Sequence, residues 1–304
     1  MTATTQPGRS IPDNSKKRDA ITRYLSRLGL REKPAPTVAA LADLHRRHLD
    51  TIPYENLAIM LGRPDSTDPG QTLGRIAAGG NAGYCFHHNG AFELVLRDLG
   101  FAVERRFGQV WNKPEDRAVP ELNHLVLLAT IDGRPWWPDL GLGDALRDPV
   151  EVIDGEIRQG PFTYEISDAS AAGWTFRHDP AAGSFGNVDV RPNSPTPGDV
   201  AASHLLLSTP PDGRFTRVLV VQRRDETGTG VLRGIRLERV GDQPFTRDLT
   251  VYDDWRAALE SLRVSLAGVT EDELRSLHAR MLAAHEEWVT VATRTHPTRE
   301  RRGR

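Results

Sequence analysis

The chain has 304 residues, a formal net charge of −2, a pI near 6.6 and a single cysteine. That length can bury a full core without staples, and one cysteine excludes both an intramolecular disulfide framework and a multi-cysteine zinc site. The near-neutral charge gives no general reason to expect nucleic acid or an anionic membrane surface as partner.

The N-terminal stretch MTATTQPGRSIPDNSKKRDA is polar and lacks the apolar core of a signal peptide, and no apolar run is long enough to cross a membrane. The expectation is a cytoplasmic protein with a leader over residues 1–16 and a basic tail over 295–304. DAITRYLSRLGL, from Asp19 to Leu30, places Ile21, Tyr24, Leu25 and Leu28 on one face and ends at Gly29, as an amphipathic helix does. Thr37 is placed to cap a second helix, VAALADLHRRHLDTI, with Leu41, Leu44 and Leu49 buried. His45 and His48 in that helix have metal-ligand spacing but no third ligand nearby, so packing or solvent exposure is expected. IPYENLAI reads as a tight corner scaffolded by Glu55 and Asn56, 62–70 as a loop, and QTLGRIAAG as a helical turn or two.

Gly79 to Leu99 then reads GGNAGYCFHHNGAFELVLRDL, in which Cys85, Asn89, Phe92, Leu96 and Leu99 recur at helical spacing. Cys85 therefore falls in the first helical turn, where free backbone N–H groups and the helix dipole favour a thiolate. A lone cysteine is more often a small buried hydrophobe, so the nucleophile reading needs partners. After Cys85 the period shortens. FAVERRFGQVW (101–111) alternates as a strand, 112–120 is turn-rich, and His124 opens the apolar run HLVLLATI. Asp132-Gly133 signals a hairpin whose return strand, RPWWPDLGLG, sets His124 opposite Leu140 to Leu142 with Asp139 one or two positions away. A cysteine at a helix start, a histidine on one strand and a carboxylate on the next are a thiol nucleophile, its base and the orienter of that base.

These residues carry a family resemblance. Pro53-Tyr54-Glu55-Asn56-Leu57, Asn81-Ala82-Gly83-Tyr84-Cys85-Phe86, Asn123-His124-Leu125 and Pro138-Asp139-Leu140-Gly141-Leu142-Gly143 resemble the motifs of the arylamine N-acetyltransferases over roughly residues 20–145. The resemblance implies an α+β fold: a cysteine-protease-like core with an N-terminal helical bundle (17–99, with the catalytic cysteine), a central β-barrel (100–210) and a C-terminal α/β lid (211–294). It implies Cys85, His124 and Asp139 as the catalytic residues, acetyl-CoA as co-substrate with no bound cofactor or metal, and ping-pong transfer of acetyl to an arylamine or hydrazine. A related amide synthase closing a macrolactam from a carrier-bound chain, and a non-catalytic scaffold that binds CoA or a small aromatic, are the alternatives.

Two departures stand out. Asn81-Ala82 replaces the family's Arg-Gly, removing a cation beside the sulfur. His87 replaces an acidic or amide residue, as a local positive charge or, more ordinarily, a solvated side chain.

The later chain carries weaker signals. LLLSTP, FTRVLVVQRR and GVLRGIRLERV read as strands, DPAAGSFGNVDVRPNSPTPGDV as a long loop, and EDELRSLHARMLAAHEEWVTVATR as a closing helix with Leu274, Leu277, Met281 and Trp288 near one face. The family resemblance implies an Asn and a Ser in the long-loop stretch that help shape the acyl-donor and substrate region, with Asn187, Asn193, Ser194 and Ser203 as the candidate equivalents. Arg223, Arg224 and the Arg233–Arg239 strand are candidates for phosphate contacts, although solvated strand faces are the plainer reading.

Overall fold

Two antiparallel sheets and the helices packed on them place the cysteine helix at their junction. The computed structural model describes residues 14–211 and 213–295. In chain order the elements are α1 (Asn14–Arg27), α2 (Val38–Thr51), β1 (Tyr54–Glu55), α3 (Leu57–Met60), α4 (Pro69–Ala77), α5 (Cys85–Asp98), β2 (Ala102–Trp111), α6 (Pro114–Ala118), β3 (His124–Ile131), β4 (Arg134–Trp137), β5 (Val150–Glu151), β6 (Gly155–Gln159), β7 (Phe162–Ser170), β8 (Gly173–Arg177), β9 (Asn187–Arg191), α7 (Pro197–Ser208), a 3₁₀ turn (Arg214–Thr216), β10 (Val220–Asp225), β11 (Gly228–Arg233), β12 (Arg236–Gly241), β13 (Phe245–Asp248), α8 (Tyr252–Ser261) and α9 (Glu271–Thr295).

The first sheet has eight strands in the order β5-β4-β3-β2-β9-β8-β7-β6. Its two edges, β5 and β6, are separated in sequence only by residues 152–154, and so short a connection spans at most about 14 Å. The sheet must therefore curl until its edges approach. Trp137, Phe162, Tyr164, Trp174 and Phe176 fill the space it encloses. β3 is buried on both faces: Val126 and Leu128 point into that interior, while Leu127, Ala129 and Ile131 pack against α1, α2, α4 and α5. This is why HLVLLATI shows no alternation.

The second sheet runs β1-β10-β11-β12-β13. Because side chains alternate between faces, Leu219, Val221 and Leu232 pack on Trp255, Leu259 and Leu277 of α8 and α9, while Val220, Gln222 and Arg233 face the other way. β1, from the N-terminal part, is its edge strand, with Tyr54 paired to Gln222. Asn56 clamps this junction: its amide donates to the Phe215 and Val218 carbonyls at 2.9 Å, and its oxygen accepts from the Val220 N–H at 2.7 Å.

Thr37 caps α2 by accepting from the Ala40 N–H at 3.2 Å, and Gly29 ends α1 with φ +78°. The Asp132-Gly133 turn has positive φ at both residues, 51° and 75°, as a two-residue hairpin requires. Several expectations change. Residues 14–16 of the expected leader belong to α1, and 1–13 and 296–304 lie outside the described residues. The loop at 112–120 contains α6, and the long loop after His178 contains β9 and the start of α7. LLLSTP is helical through Ser208, because Thr196 and Asp199 make a capping box and Pro197 occupies the first turn. Leu274, Leu277 and Met281 are buried, but Trp288 is 56 % exposed. No helix among the described residues is long and apolar enough to cross a membrane.

Candidate active site

Cys85 is the first residue of α5, and it is buried. Its thiol donates to the Asn123 carbonyl at 3.6 Å, and it lies within hydrogen-bonding reach of His124. His124 opens β3, where Asn123 holds the strand against β2 by accepting from the Val110 N–H at 2.6 Å and donating to the Val110 carbonyl at 3.0 Å. His124 Nε2 donates to Asp139 Oδ2 at 2.7 Å, leaving Nδ1 for the sulfur. The expected route of Asp139 is corrected. The hairpin keeps the register that pairs Thr130 with Pro135, but β4 stops at Trp137. Asp139 comes from the loop that leaves the sheet and crosses the start of α5.

That loop is tightly held. Asp139 Oδ2 also accepts from Trp137 Nε1 at 2.9 Å, and Oδ1 accepts from Asn89 Nδ2 and the Gly141 N–H, each at 2.9 Å. The Asp139 N–H donates to His45 Nε2 at 3.1 Å, whose Nδ1–H donates to the Arg147 carbonyl at 3.0 Å. Asn89, one turn beyond Cys85, joins all three parts: it donates to the Leu125 carbonyl at 2.6 Å and to Asp139, and accepts from the Leu140 N–H at 3.0 Å.

Electrostatics follow from this geometry. Burial opposes charge on His124, but the Asp139 carboxylate and hydrogen bonds to Asp139 and Cys85 outweigh it and raise the imidazole to about 10. Burial likewise opposes ionisation of Asp139, yet His124, Asn89 and the Gly141 N–H hold its carboxyl below the usual range. Gly141 presses on Cys85: a Cβ there would lie 2.6 Å from Cys85 Cα and 2.7 Å from its Cβ. Gly141→Ala is expected to push the loop off α5, loosen the His124–Asp139 contact and lower turnover at least tenfold. Steady-state rates beside a circular-dichroism melt check this.

The two departures acquire physical explanations. His87 is not solvated and carries no positive charge. It is 2 % exposed, and burial holds its imidazole down to about 3. Its Nε2–H donates to the Asp65 carbonyl at 3.2 Å, so Nδ1 is free to accept from the Tyr84 N–H at 3.4 Å. The residue two places after the cysteine is the third of the helix, where an acceptor reaches back to the N-cap; a neutral histidine serves as well as a carboxylate. In place of an arginine in the loop, Arg75 reaches over from α4 and donates to the carbonyls of Asn81 and Ala82 at 3.0 and 2.9 Å. Asn81 instead ties the approach to Ser265, donating to its carbonyl at 2.9 Å and accepting from its N–H at 2.7 Å.

Behind the cysteine, buried rings form a directional chain. His88 Nε2–H donates to the Gly83 carbonyl at 3.1 Å, so its Nδ1 accepts from His48 Nε2–H at 2.8 Å, and His48 Nδ1 accepts from the Tyr24 hydroxyl at 2.8 Å. His45 and His48 are thus packed and hydrogen-bonded, and among the described residues no cluster that could hold a metal occurs.

A cavity of about 160 Å³ opens on Cys85 and His124, walled by Val110, Leu142, Phe185, Leu207 and Phe215 with Tyr54, Gln222, Arg214 and Arg233 on its polar side. Asn187, Asn193, Ser194 and Ser203 do not line it; Ser203 donates to the Leu122 carbonyl instead. Arg224 is buried and spends its guanidinium on the Ala145, Gln159, Asp225 and Gly228 carbonyls. Arg223 donates to the Asp50 carbonyl, and Arg236 and Arg239 pair with Asp248 and Asp225. Of the arginines named from sequence, Arg233 alone lines the cavity.

A family model for N-acetyltransferases matches residues 37–265. The chain is 35% identical over 142 residues to the arylamine N-acetyltransferase of Mycolicibacterium smegmatis, 45% of this chain and 51% of that protein. It is 33% identical over 144 residues to that of Escherichia coli (strain K12), 46% of this chain and 50% of the other. The chain thus spans about half the length of these curated relatives. Among solved structures, the arylamine N-acetyltransferase from Mycobacterium abscessus superposes with a TM-score of 0.77 at 22% identity, covering 91% of this chain and 99% of that one. The Mycobacterium marinum protein in complex with CoA superposes at 0.75 with 24% identity, covering 86% and 98%. The family match takes in Cys85, His124, Asp139 and the cavity around them, and the chain belongs to the arylamine N-acetyltransferase family.

Proposed function

We propose that the protein moves an acetyl group from acetyl-CoA, through a thioester on Cys85, to the nitrogen of an arylamine or hydrazine. The observation that carries this reading is the His124–Asp139 contact at 2.7 Å, which leaves the second imidazole nitrogen to the sulfur of a cysteine at a helix start. With the proton on His124, the Cys85 sulfur attacks the thioester carbonyl, and the Cys85 N–H at the helix start is the natural donor to the oxyanion. Collapse expels the CoA thiolate, which takes the proton from His124. The amine then attacks the acetyl-cysteine, His124 takes the amine proton, and release of the amide returns the starting state. An aromatic amine suits this sequence because it is unprotonated near neutral pH.

The cavity supports a small acceptor. A void of about 150 Å³ holds one benzene ring, so about 160 Å³ beside Cys85 matches a single-ring amine and is small for a chain folding into a macrolactam. Incubation with acetyl-CoA without amine, read by intact-mass spectrometry, should show one added acetyl group that is absent from Cys85→Ser and is discharged by an arylamine. No adduct on a thiol that still alkylates would overturn the acetyl reading in favour of a larger acyl donor. No adduct on an unreactive thiol would favour a scaffold without turnover.

A further inference from the structure

β1 runs beside the approach to Cys85. Tyr54 bridges Gly83 as a parallel partner, and the neighbouring Glu55 N–H donates to the Gly83 carbonyl at 2.9 Å. The Tyr54 ring stacks on His88, with centroids 6.2 Å apart and planes 11° apart, which sets it against the first turn of α5. On its other side β1 pairs with β10, where Tyr54 lies directly opposite Gln222. Directly opposed side chains share a face, their Cβ atoms about 5 Å apart, and both of these line the cavity that opens on Cys85 and His124.

Each of the two side chains carries a donor that the protein itself does not use. Gln222 is 4 % exposed, yet its Nε2 has no hydrogen-bond partner among the described residues. Its carboxamide is wedged against Gly143, where an added Cβ would collide with it, and Gly141 is the residue pressed on Cys85. Two residues span at most about 7 Å, so one short loop has Cys85 on one side and the carboxamide on the other. The Tyr54 hydroxyl also has no hydrogen-bond partner among the described residues. Burial, and then the Cys85 sulfur that it faces, push its ionisation well above the ordinary tyrosine range, so it keeps its proton and can donate it. An unpaired donor in so enclosed a place is unfavourable in the resting protein and is satisfied only when an acceptor arrives.

We infer that the Tyr54 hydroxyl and Gln222 Nε2 are catalytic groups that complete, with the Cys85 N–H, the oxyanion hole of this site. As the sulfur forms its bond to the carbonyl carbon, the π pair moves onto oxygen, which accepts from these donors; collapse returns the pair and breaks the bond to the sulfur of CoA. The same donors serve the second intermediate, in which the amine has added and the Cys85 sulfur leaves. Donors fixed by packing before the charge appears need no reorganisation when it does. The inference rests on the acyl-transfer reading above and adds the groups that hold its intermediates.

Two acyl donors and one alkylating agent test it on wild type, Tyr54→Phe and Gln222→Met. Acetyl-CoA and 4-nitrophenyl acetate both acylate through an oxyanion, whereas iodoacetamide loses iodide from a saturated carbon and forms none. Single-turnover acetylation of Cys85 without amine should fall about 10²–10³-fold with both donors in each variant, while alkylation and equilibrium affinity for CoA stay within about twofold of wild type. Should Gln222→Met fail to fold, Tyr54→Phe, which removes only an unpaired hydroxyl and should melt with wild type, decides alone. Acylation at the wild-type rate in either folded variant would overturn the assignment. A parallel loss of alkylation would overturn it too, by placing the effect on the thiolate, as would a loss with acetyl-CoA alone, by placing it in donor binding. If 4-nitrophenyl acetate shows the loss but wild type takes no acetyl from acetyl-CoA, the oxyanion hole stands and the acetyl-CoA reading fails; if all three proteins take acetyl from acetyl-CoA at one rate, the reverse holds.

Discussion

Asp139→Asn is expected to lower acetyl transfer about 10⁴-fold and to cost on the order of 3–5 kcal/mol of stability. All four partners of the Asp139 carboxylate are donors: His124 Nε2, Trp137 Nε1, Asn89 Nδ2 and the Gly141 N–H. An amide in its place turns one oxygen into a donor, so two contacts become donor against donor whichever way it is rotated. The pair containing His124 can adjust only if the imidazole changes tautomer, which puts its proton toward Cys85 and removes the base. Trp137 cannot adjust at all, because indole nitrogen only donates. Rates and thermal melts on one preparation separate the two effects. A folded Asn variant within tenfold of wild type would remove Asp139 from the mechanism.

Stability should peak near pH 6.5 and fall on both sides. His45 and His88, held by burial at about 4, and His87, held at about 3, stay neutral in the folded protein while the unfolded chain protonates them at about 6.5. The unfolded state then binds more protons, so stability is lost as pH falls from 6.5 toward 4, and His48, also lowered by burial, adds to the loss. Glu55 opposes this, because burial raises its carboxyl to about 7 and the folded state holds that proton longer. With three histidines against one glutamate, the loss between pH 6.5 and 4.5 comes to about 4 kcal/mol. Above pH 6.5 the sign reverses. His124, raised to about 10 by Asp139 against the cost of burial, keeps its proton only in the folded protein. Its stabilisation is complete below 6.5 and is lost toward pH 10, again by about 4 kcal/mol. Denaturant titrations across this range check the curve. His88→Gln, which removes one buried imidazole, should flatten the acid limb, and an unchanged limb would count against the buried-histidine account.

The sequence by itself determined the elements whose signals are local. Thr37, Gly29 and Asp132-Gly133 mark a helix start, a helix stop and a hairpin through the conformations that their own backbones and side chains adopt. The helical recurrence of Cys85, Asn89, Phe92 and Leu96 placed the sulfur in a first turn for the same reason. Asn89 was visible as a polar residue on that apolar face, one turn from the cysteine, but its partners at Leu125 and Asp139 come from elements 36 and 50 residues away. The tertiary structure alone decided how the loop after Trp137 delivers Asp139, since a hairpin register says nothing once the ladder ends. It also decided the state of the histidines. Whether an imidazole is a charged surface group or a neutral acceptor depends on burial and on the carbonyl it faces, and the two carbonyls that fix His87 and His45 belong to Asp65 and Arg147. The same holds for the arginines: spacing made Arg224 and Arg233 equivalent, and only packing sends one to buried carbonyls and the other to the cavity.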